Sequence, residues 1–315
     1  MEPPPHSHSG PKDLLLVNPS AGGSRAAGIL PALRKFAEGH HWNIDIRVTT
    51  SLRDLEAIAR QAAEARFVER IFVLGGDGTF QALLNAVAAY PEIVLGVIPA
   101  GDGNDLANSL ALPSDPILAA AALLNGEIVG LDVVRARTAD GVERLYAGGG
   151  GVGLDAEAAR HANGTFRNLR GRMRYVLGAV RALFGFRPLH VQTIMTPGGP
   201  EPLLSTALVV AALNTPSYGG GVYLAPDAKT DDGKLELVLV EDLSLLQILL
   251  LLPALVLHGR LQTNRIRRFR VQYARIETDL PAWFHADGEL LGLTPVEVSV
   301  VPNAVRVLRA RTSAS

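Results

Sequence analysis

The sequence contains no cysteine, which excludes disulfide cross-links and thiolate metal sites and fits a reducing, cytoplasmic setting. Lysine is also scarce, at 4 of the 30 basic residues, and 31 acids bring the net charge to −1. A chain this close to neutral has no global field to draw it to nucleic acid, so no nucleic-acid partner is expected. Long apolar runs are missing too. The most hydrophobic stretch, LSLLQILLLLPALVL at 243–257, has 15 residues with a proline inside and falls short of the ~20 that cross a bilayer. The opening MEPPPHSHSG lacks the apolar core of a signal peptide or anchor, so residues 1–11 are expected to form a disordered leader. These absences leave a protein that is soluble or at most lies on a membrane surface.

What is present is ample core material: 48% of 315 residues are apolar, enough for two domains at the usual domain size. In the first third, apolar strands alternate with amphipathic helices. DLLLV, NIDIRVTT, RIFVLGG and VLGVIPAG read as strands; SRAAGILPALRKFAEG, LRDLEAIARQAAEAR, TFQALLNAVAAY and DLANSLA read as helices. That alternation predicts a parallel sheet covered by helices. After about residue 130 the texture changes to strands at hairpin spacing: LDVVRART, RLYAGGG, LHVQTIMT, STALVVAAL, KLELVLV, RFRVQYARIET and VEVSVVP. Helical patterns there are confined chiefly to 167–185 and 243–257, so an antiparallel sandwich or flattened barrel is expected. The last strand, AVRVLRA, is expected to return to the first domain.

Three glycine turns follow strand ends in the first third: NPSAGG at 18–23, GGDGT at 75–79 and PAGDGND at 99–105. Backbone N–H groups at such turns, backed by helix N-termini, bind anions. Three of them at the carboxyl edge of one sheet converge on one crevice, as a triphosphate needs. The chain has no G-x-x-x-x-G-K-[ST] motif, so the P-loop mechanism is excluded. GGGGVG at 148–153 satisfies G-x-G-x-x-G only because a glycine run does so trivially, and no acid follows at the spacing of about 20 residues that a dinucleotide site needs.

These turns, with LNTPSYGGGVYLAPDAKTDDGKLEL and HADGELLG further on, resemble the diacylglycerol kinase catalytic-domain family, in particular bacterial soluble lipid kinases and sphingosine-kinase-like enzymes. The motifs occur in the family's order, and the resemblance spans roughly residues 13–310. It implies an N-terminal α/β nucleotide-binding domain of the phosphofructokinase and NAD-kinase type and a C-terminal antiparallel β-sandwich domain. The expected boundaries are 12–132 plus 303–315 for the ATP-binding domain and 133–302 for the lipid-substrate domain. ATP and Mg²⁺ are the implied cofactors, and the implied reaction is phosphoryl transfer to a lipid alcohol, most plausibly diacylglycerol. The alternatives are a soluble small-molecule kinase and a nucleotide-binding regulator that has lost turnover.

Carried over residue by residue, the resemblance places nucleotide contacts at Asn18, Pro19, Ser20 and Gly22, at Thr49, at Gly75, Gly76, Gly78 and Thr79, and at Gly101, Asp102 and Asn104. Asp77 would act through magnesium, because a bare carboxylate repels a triphosphate. A metal loop maps onto Asp232, with carbonyls near Lys229 and Lys234 and support from Asp231. Asp287 and Glu289 are the candidates for the base that phosphoryl transfer needs beside the attacking hydroxyl. Two apart in an extended stretch, they would share a face. His285 reads as a packing or polar-edge residue. The chain departs from the family's pattern at Gln81 and Ala82, where Asn and Glu are usual, and at Asp102, where Thr or Ser is usual. An added acid near phosphates is unfavourable unless a cation offsets it.

From Ala158 to Pro200 the chain has arginines at 160, 167, 170, 172, 174, 181 and 187 and no acid. Such a cluster attracts anionic lipid, and peripheral contact with the inner face of the membrane is expected. A homodimer is compatible with the sequence.

Overall fold

The computed structural model describes residues 13–166, 169, 173–197, 201–243, 247 and 263–311. The expected leader, nearly all of the expected helix at 243–257, and Arg167, Arg170 and Arg172 lie outside the described residues.

The first part of the chain is a parallel α/β layer. Strands β1 (Asp13–Val17), β2 (Ile44–Val48), β3 (Arg70–Gly75) and β4 (Val94–Pro99) lie in the order β2-β1-β3-β4, all paired in parallel. β1, β3 and β4 are near-continuous apolar runs because both faces are covered. The cover comes from α1 (Ala21–Gly39), α2 (Leu52–Ala65), α3 (Asp77–Val87), α4 (Asp105–Ser109) and α5 (Pro116–Leu124). α2 starts where the Ser51 side chain accepts from Asp54 N–H, and ends at Arg66 in the left-handed region. α5 starts where Asp115 caps two N–H groups ahead of Pro116. Its run PILAAAALL carries little polar patterning, which is why periodicity missed it.

The strand order reverses between β1 and β3. In open α/β sheets, ligands bind outside the strand carboxyl ends at such a switch point. The turns after β1 and β3 are NPSAGG and GGDGT.

The second part is antiparallel. It comprises β5 (Glu127–Thr138), β6 (Glu143–Tyr146), β7 (Gly149–Gly153), β8 (Leu189–Thr196), β9 (Leu203–Leu213), β10 (Leu235–Glu241), β11 (Ile266–Val271), β12 (Tyr273–Thr278), β13 (Trp283–Ala286), β14 (Glu289–Leu293) and β15 (Val296–Arg309). The path β14-β13-β7-β9-β8-β12-β15 leads into β4, while β10 joins β9 to β11, and β5 joins β15 to β6. RFRVQYARIET, read as one strand, is two, because β11 and β12 pair with different partners. VEVSVVP and AVRVLRA, read as two, are one strand with an irregularity between Val301 and Val305. Its end runs parallel to β4 at Arg306 and Val307.

Each part has its own apolar core. The first is built on Leu14–Val17, Ile71–Leu74 and Leu95–Ile98; the second includes Val134, Tyr146, Val210, Phe284, Val296 and Val298. Two helices sit between β7 and β8: α6 (Leu154–Asn163), which periodicity missed, and α7 (Met173–Leu183). They pack at close range, since a methyl group on Gly178 would lie 2.5 Å from the Ala158 carbonyl oxygen. Among the described residues no helix is long and apolar enough to cross a membrane.

Candidate active site

The three glycine turns meet at the carboxyl edge of the parallel sheet. Asn18 donates from Nδ2 to Thr79 Oγ1 (3.0 Å) and accepts at Oδ1 from the Ser20 hydroxyl (2.7 Å), so the first turn is tied to GGDGT. Gly76 and Gly101 approach so closely that a methyl on Gly76 would lie 2.9 Å from the Gly101 Cα. Asn104, at φ +57°, folds back on Gly101, accepting from its N–H (2.9 Å) and donating to its carbonyl (3.0 Å). Gly22 packs on the Ala100 carbonyl, and Arg25 donates to the Gly101 carbonyl (2.9 Å). Pro19 continues the first turn and Gly75 ends β3, while Thr49 is buried beyond β2 with its hydroxyl on the Val17 carbonyl (3.0 Å).

Asp77 opens α3, but its carboxylate does not merely close its own turn. Oδ2 and Oδ1 accept from the backbone N–H groups of Asp105 (3.2 Å) and Leu106 (3.1 Å). Burial and then the neighbouring Asp105 push the Asp77 acid up to about 6, against the lowering effect of those hydrogen bonds. Asp105 ends the PAGDGND turn. It is buried, and accepts from the Ser217 hydroxyl (2.6 Å) and from the N–H groups of Gly220 (2.9 Å) and Gly221 (3.0 Å). A long-range tie of this kind has no local sequence signal beyond an acid ending one glycine motif and a glycine run in another.

Asp287 comes to the same mouth from the second part of the molecule. Asp287 and Gly288, at φ +46° and +86°, form the turn between β13 and β14, the two-positive-φ geometry for which Asp-Gly is favoured. Alternation therefore fails here: Asp287 is a turn residue, not a strand residue sharing a face with Glu289. What brings the two together is the turn itself. A methyl on Gly78 would lie 3.9 Å from the Asp287 carbonyl oxygen and 4.0 Å from Glu289 Oε1.

The Asp287 carboxylate rests on the backbone N–H groups of Ala147 (3.2 Å), Gly148 (3.2 Å) and Gly149 (2.9 Å). Gly148 has to be glycine, because a methyl there would lie 2.7 Å from Asp287 Oδ1. The glycine run at 148–153 is thus the floor of this site. Burial, then Asp77, pushes the Asp287 acid up to about 7 despite the three donors. Glu289 rims the mouth; its acid is raised by burial and lowered by Arg174, Arg144 and His285.

Two departures from the family pattern find partners. Buried Gln81 donates from Nε2 to the Ala286 carbonyl (3.1 Å), pinning α3 to the end of β13, where the Asp287 turn begins. Ala82 is buried in the first core. Asp102 lies 3.8 Å from the Arg174 guanidinium of α7, so a cation from the second part of the chain offsets the added acid.

The acids of the expected metal loop lie beside basic groups. Asp232 accepts from the Arg270 guanidinium and from Lys234 N–H (3.1 Å), and Asp231 lies 3.8 Å from Arg309. Lys229 precedes this turn. Among the described residues no group of three or more His, Cys, Asp or Glu side chains has metal-ligating geometry. Asp231 and Asp232 thus each have an arginine nearby. Asp77 and Asp105 differ, since both Oδ2 atoms lie within 3.3 Å of the point where a methyl on Gly103 would sit, and backbone N–H groups are their main partners. Two neighbouring carboxylates held by hydrogen-bond donors supply the hard oxygens that Mg²⁺ takes, and it keeps several waters and needs only one or two carboxylates.

Residues 12–136 match the diacylglycerol kinase catalytic domain, and residues 150–309 match the YegS C-terminal NAD kinase beta sandwich-like domain. A diacylglycerol kinase of Mycobacterium tuberculosis is 30% identical over 94% of both chains. A probable YegS-like lipid kinase of Pectobacterium atrosepticum is 27% identical over 94% of this chain and 95% of its own. The crystal structure of a putative diacylglycerol kinase from Bacillus anthracis superposes with a TM-score of 0.76 at 23% identity, covering 97% of this chain and 99% of that one, which establishes the shared fold. The two domain matches, one on either side of the mouth where Asp77 faces Asp287, agree with these relatives: the chain belongs to the diacylglycerol kinase catalytic-domain family and is a lipid kinase.

Proposed function

We propose that the chain transfers the γ-phosphoryl group of ATP to the hydroxyl of diacylglycerol. In this reading residues 12–132 with 303–315 bind the nucleotide and residues 133–302 bind the lipid. The observation that carries it is the meeting of Gly78, in the GGDGT turn, with Asp287 and Glu289. A phosphate on the turn would then face a carboxylate able to accept the hydroxyl proton.

Asn18, Ser20, the Gly75–Thr79 turn and the Gly101–Asn104 loop surround the phosphates. Asp77, with Asp105, would hold Mg²⁺. There it would offset part of the phosphate charge. Asp287 is the base: its three backbone donors fix the carboxylate, and a value of about 7 suits proton acceptance near neutrality. Glu289 lies one residue beyond the turn, at the rim, and orients the acceptor.

Lipid must reach this mouth from a bilayer. Met173, Val176 and Val180 of α7, with Phe184 just past its end, are all exposed, and their spacing of three and four residues draws one apolar stripe. Arg174 and Arg181 lie on the same helix and Arg160 on α6. An amphipathic helix with arginine beside the apolar stripe suits an anionic membrane surface, here the cytoplasmic face.

The test is a radiolabelled-phosphate screen over diacylglycerol, monoacylglycerol, sphingosine, ceramide, phosphatidylglycerol and a soluble polyol, with Asp77→Ala and Asp287→Ala alongside. Transfer to diacylglycerol in vesicles, lost in both variants, is expected. Full activity in either variant removes the site; preference for the soluble acceptor removes the lipid. For the membrane, co-sedimentation of a Val176→Ser/Val180→Ser/Phe184→Ser protein with anionic vesicles should fall at least about fivefold. Unchanged binding sinks that part.

A further inference from the structure

His285 is buried beneath the turn that carries Asp287, and its ring nitrogens take part in one chain of hydrogen bonds. The direction of each bond follows from what each group can do. The Gly288 N–H can only donate, so His285 Nδ1 accepts from it (3.3 Å). In the neutral ring the proton then sits on Nε2, which faces the Tyr218 hydroxyl and, at 3.3 Å, Asp155 Oδ2. An ionised carboxylate can only accept, so the Tyr218 hydroxyl donates to Asp155 Oδ2 (2.6 Å) and its oxygen accepts from Nε2–H. Asp155 is held in turn by the Ala156 N–H on Oδ1 (2.8 Å), in the first turn of α6. Tyr218 also stacks on the His285 ring, at 5.7 Å between centroids and 21° between planes.

The glycine run accounts for how these groups fit. A methyl on Gly149 would lie 2.7 Å from the Tyr218 ring, and one on Gly151 would lie 2.2 Å from Asp155 Oδ2. β7 is therefore stripped of side chains on both counts: to let Asp287 reach its backbone donors and to admit the polar chain behind the turn. Asp287 sits at φ +46°, a conformation that an L-residue keeps only when its surroundings hold it. The adjoining Gly288 N–H has His285 Nδ1 as its partner.

We propose that His285 is a positioning residue for Asp287: oriented by Tyr218 and Asp155, its Nδ1 fixes the Gly288 N–H and so the turn that aims the base. This rests on the reading of Asp287 as the base of the kinase. Two substitutions separate the ends of the ring. In His285→Asn the amide oxygen stands where Nδ1 was and can still accept from Gly288; in His285→Gln the amide reaches the Nε2 end and leaves that N–H unmet. In the full-length protein, His285→Gln should lose about tenfold or more in kcat with KM for ATP held within about twofold, whereas His285→Asn keeps most of kcat. Equal loss in both variants, or a loss confined to KM, overturns the proposal. Should His285→Gln fail to fold, Tyr218→Phe decides, since it removes one hydroxyl: a several-fold fall in kcat is expected, and full kcat overturns the proposal. A second readout needs no turnover. Two-bond ¹H–¹⁵N spectra should show a neutral Nε2–H histidine that vanishes in His285→Asn. A wild-type protein that phosphorylates no lipid would overturn the kinase reading alone, and the tautomer would still decide the network, with an Nδ1–H form for His285 overturning it.

Discussion

Two sets of acids in this molecule are neutralised in opposite ways. Asp77, Asp105 and Asp287 are recessed, and the carboxylates accept chiefly from backbone N–H groups, joined at Asp105 by the Ser217 hydroxyl. Asp102, Asp231 and Asp232 each lie against an arginine: Arg174, Arg309 and Arg270. Backbone donors fix a carboxylate in place without cancelling its charge. Burial first, and then repulsion from a neighbouring acid, raises the Asp77 and Asp287 values, and these acids leave net charge for a cation or a proton to meet. Acids paired with arginine have their countercharge already. On the proposed reading, chemistry belongs to the first set and charge balance to the second.

The largest effect expected is from Asp287→Asn, which keeps the shape but cannot take a proton. kcat should fall about 10²–10⁴-fold, measured at saturating ATP and lipid. The same variant should melt higher than wild type at pH 8. Burial raises the folded-state value of Asp287 from 3.8 to about 7, so its contribution to stability is present below about 4 and lost as pH rises through 7. Asparagine removes that loss. A variant that is both inactive and less stable at pH 8 would break the comparison.

The pH profile sharpens it. A base must be ionised, so kcat/KM should rise with pH through about 7 and level off above, in the absence of other limiting groups. The limb should disappear in the residual activity of Asp287→Asn. A profile flat from pH 5.5 to 8, in roughly that window, would take the base role from Asp287.

Gln81→Leu comes next. It strips the donor from the Ala286 carbonyl inside the protein and should cost about 1–3 kcal/mol by thermal or urea unfolding, with kcat lower because the strand beside Asp287 is loosened. Within the arginine-paired set, Asp102→Thr takes one acid away from Arg174 and removes a charge that opposes phosphate. KM for ATP should fall about two- to fivefold with kcat little changed. Smallest of all is Arg270→Gln. A partly exposed pair is worth roughly 0–1 kcal/mol, and kcat should stay within about twofold. A melting temperature that becomes newly sensitive to Mg²⁺ in this variant would show that the Asp232 turn takes a cation once the guanidinium is gone.

Much of this architecture is legible in the residues. The parallel layer could be read because β1, β3 and β4 are short apolar runs separated by periodic helices, and the three glycine turns because only certain residues bend there. α5 and α6 were missed: PILAAAALL has no polar face to set a period, and LDAEAARHAN is short and follows a glycine run. The Asp287–Glu289 pair was found for the wrong geometric reason. Alternation fails at a turn with positive φ, and Asp-Gly itself was the better signal. Asp105, Arg174 and the role of Gln81 could not be read locally, because each acts through a partner far along the chain.

The sequence by itself determined the element types, the anion-binding character of the turns and the family's motifs, since these depend on backbone conformations and short spacings that neighbouring residues set. Only the tertiary structure decided which acids meet. It set Asp77 against Asp105 and Asp287, gave Asp102 and Asp232 their arginines, and placed His285 behind the turn that carries Asp287. Charge interactions depend on distance through space and on burial, and neither is written in the order of residues along a chain.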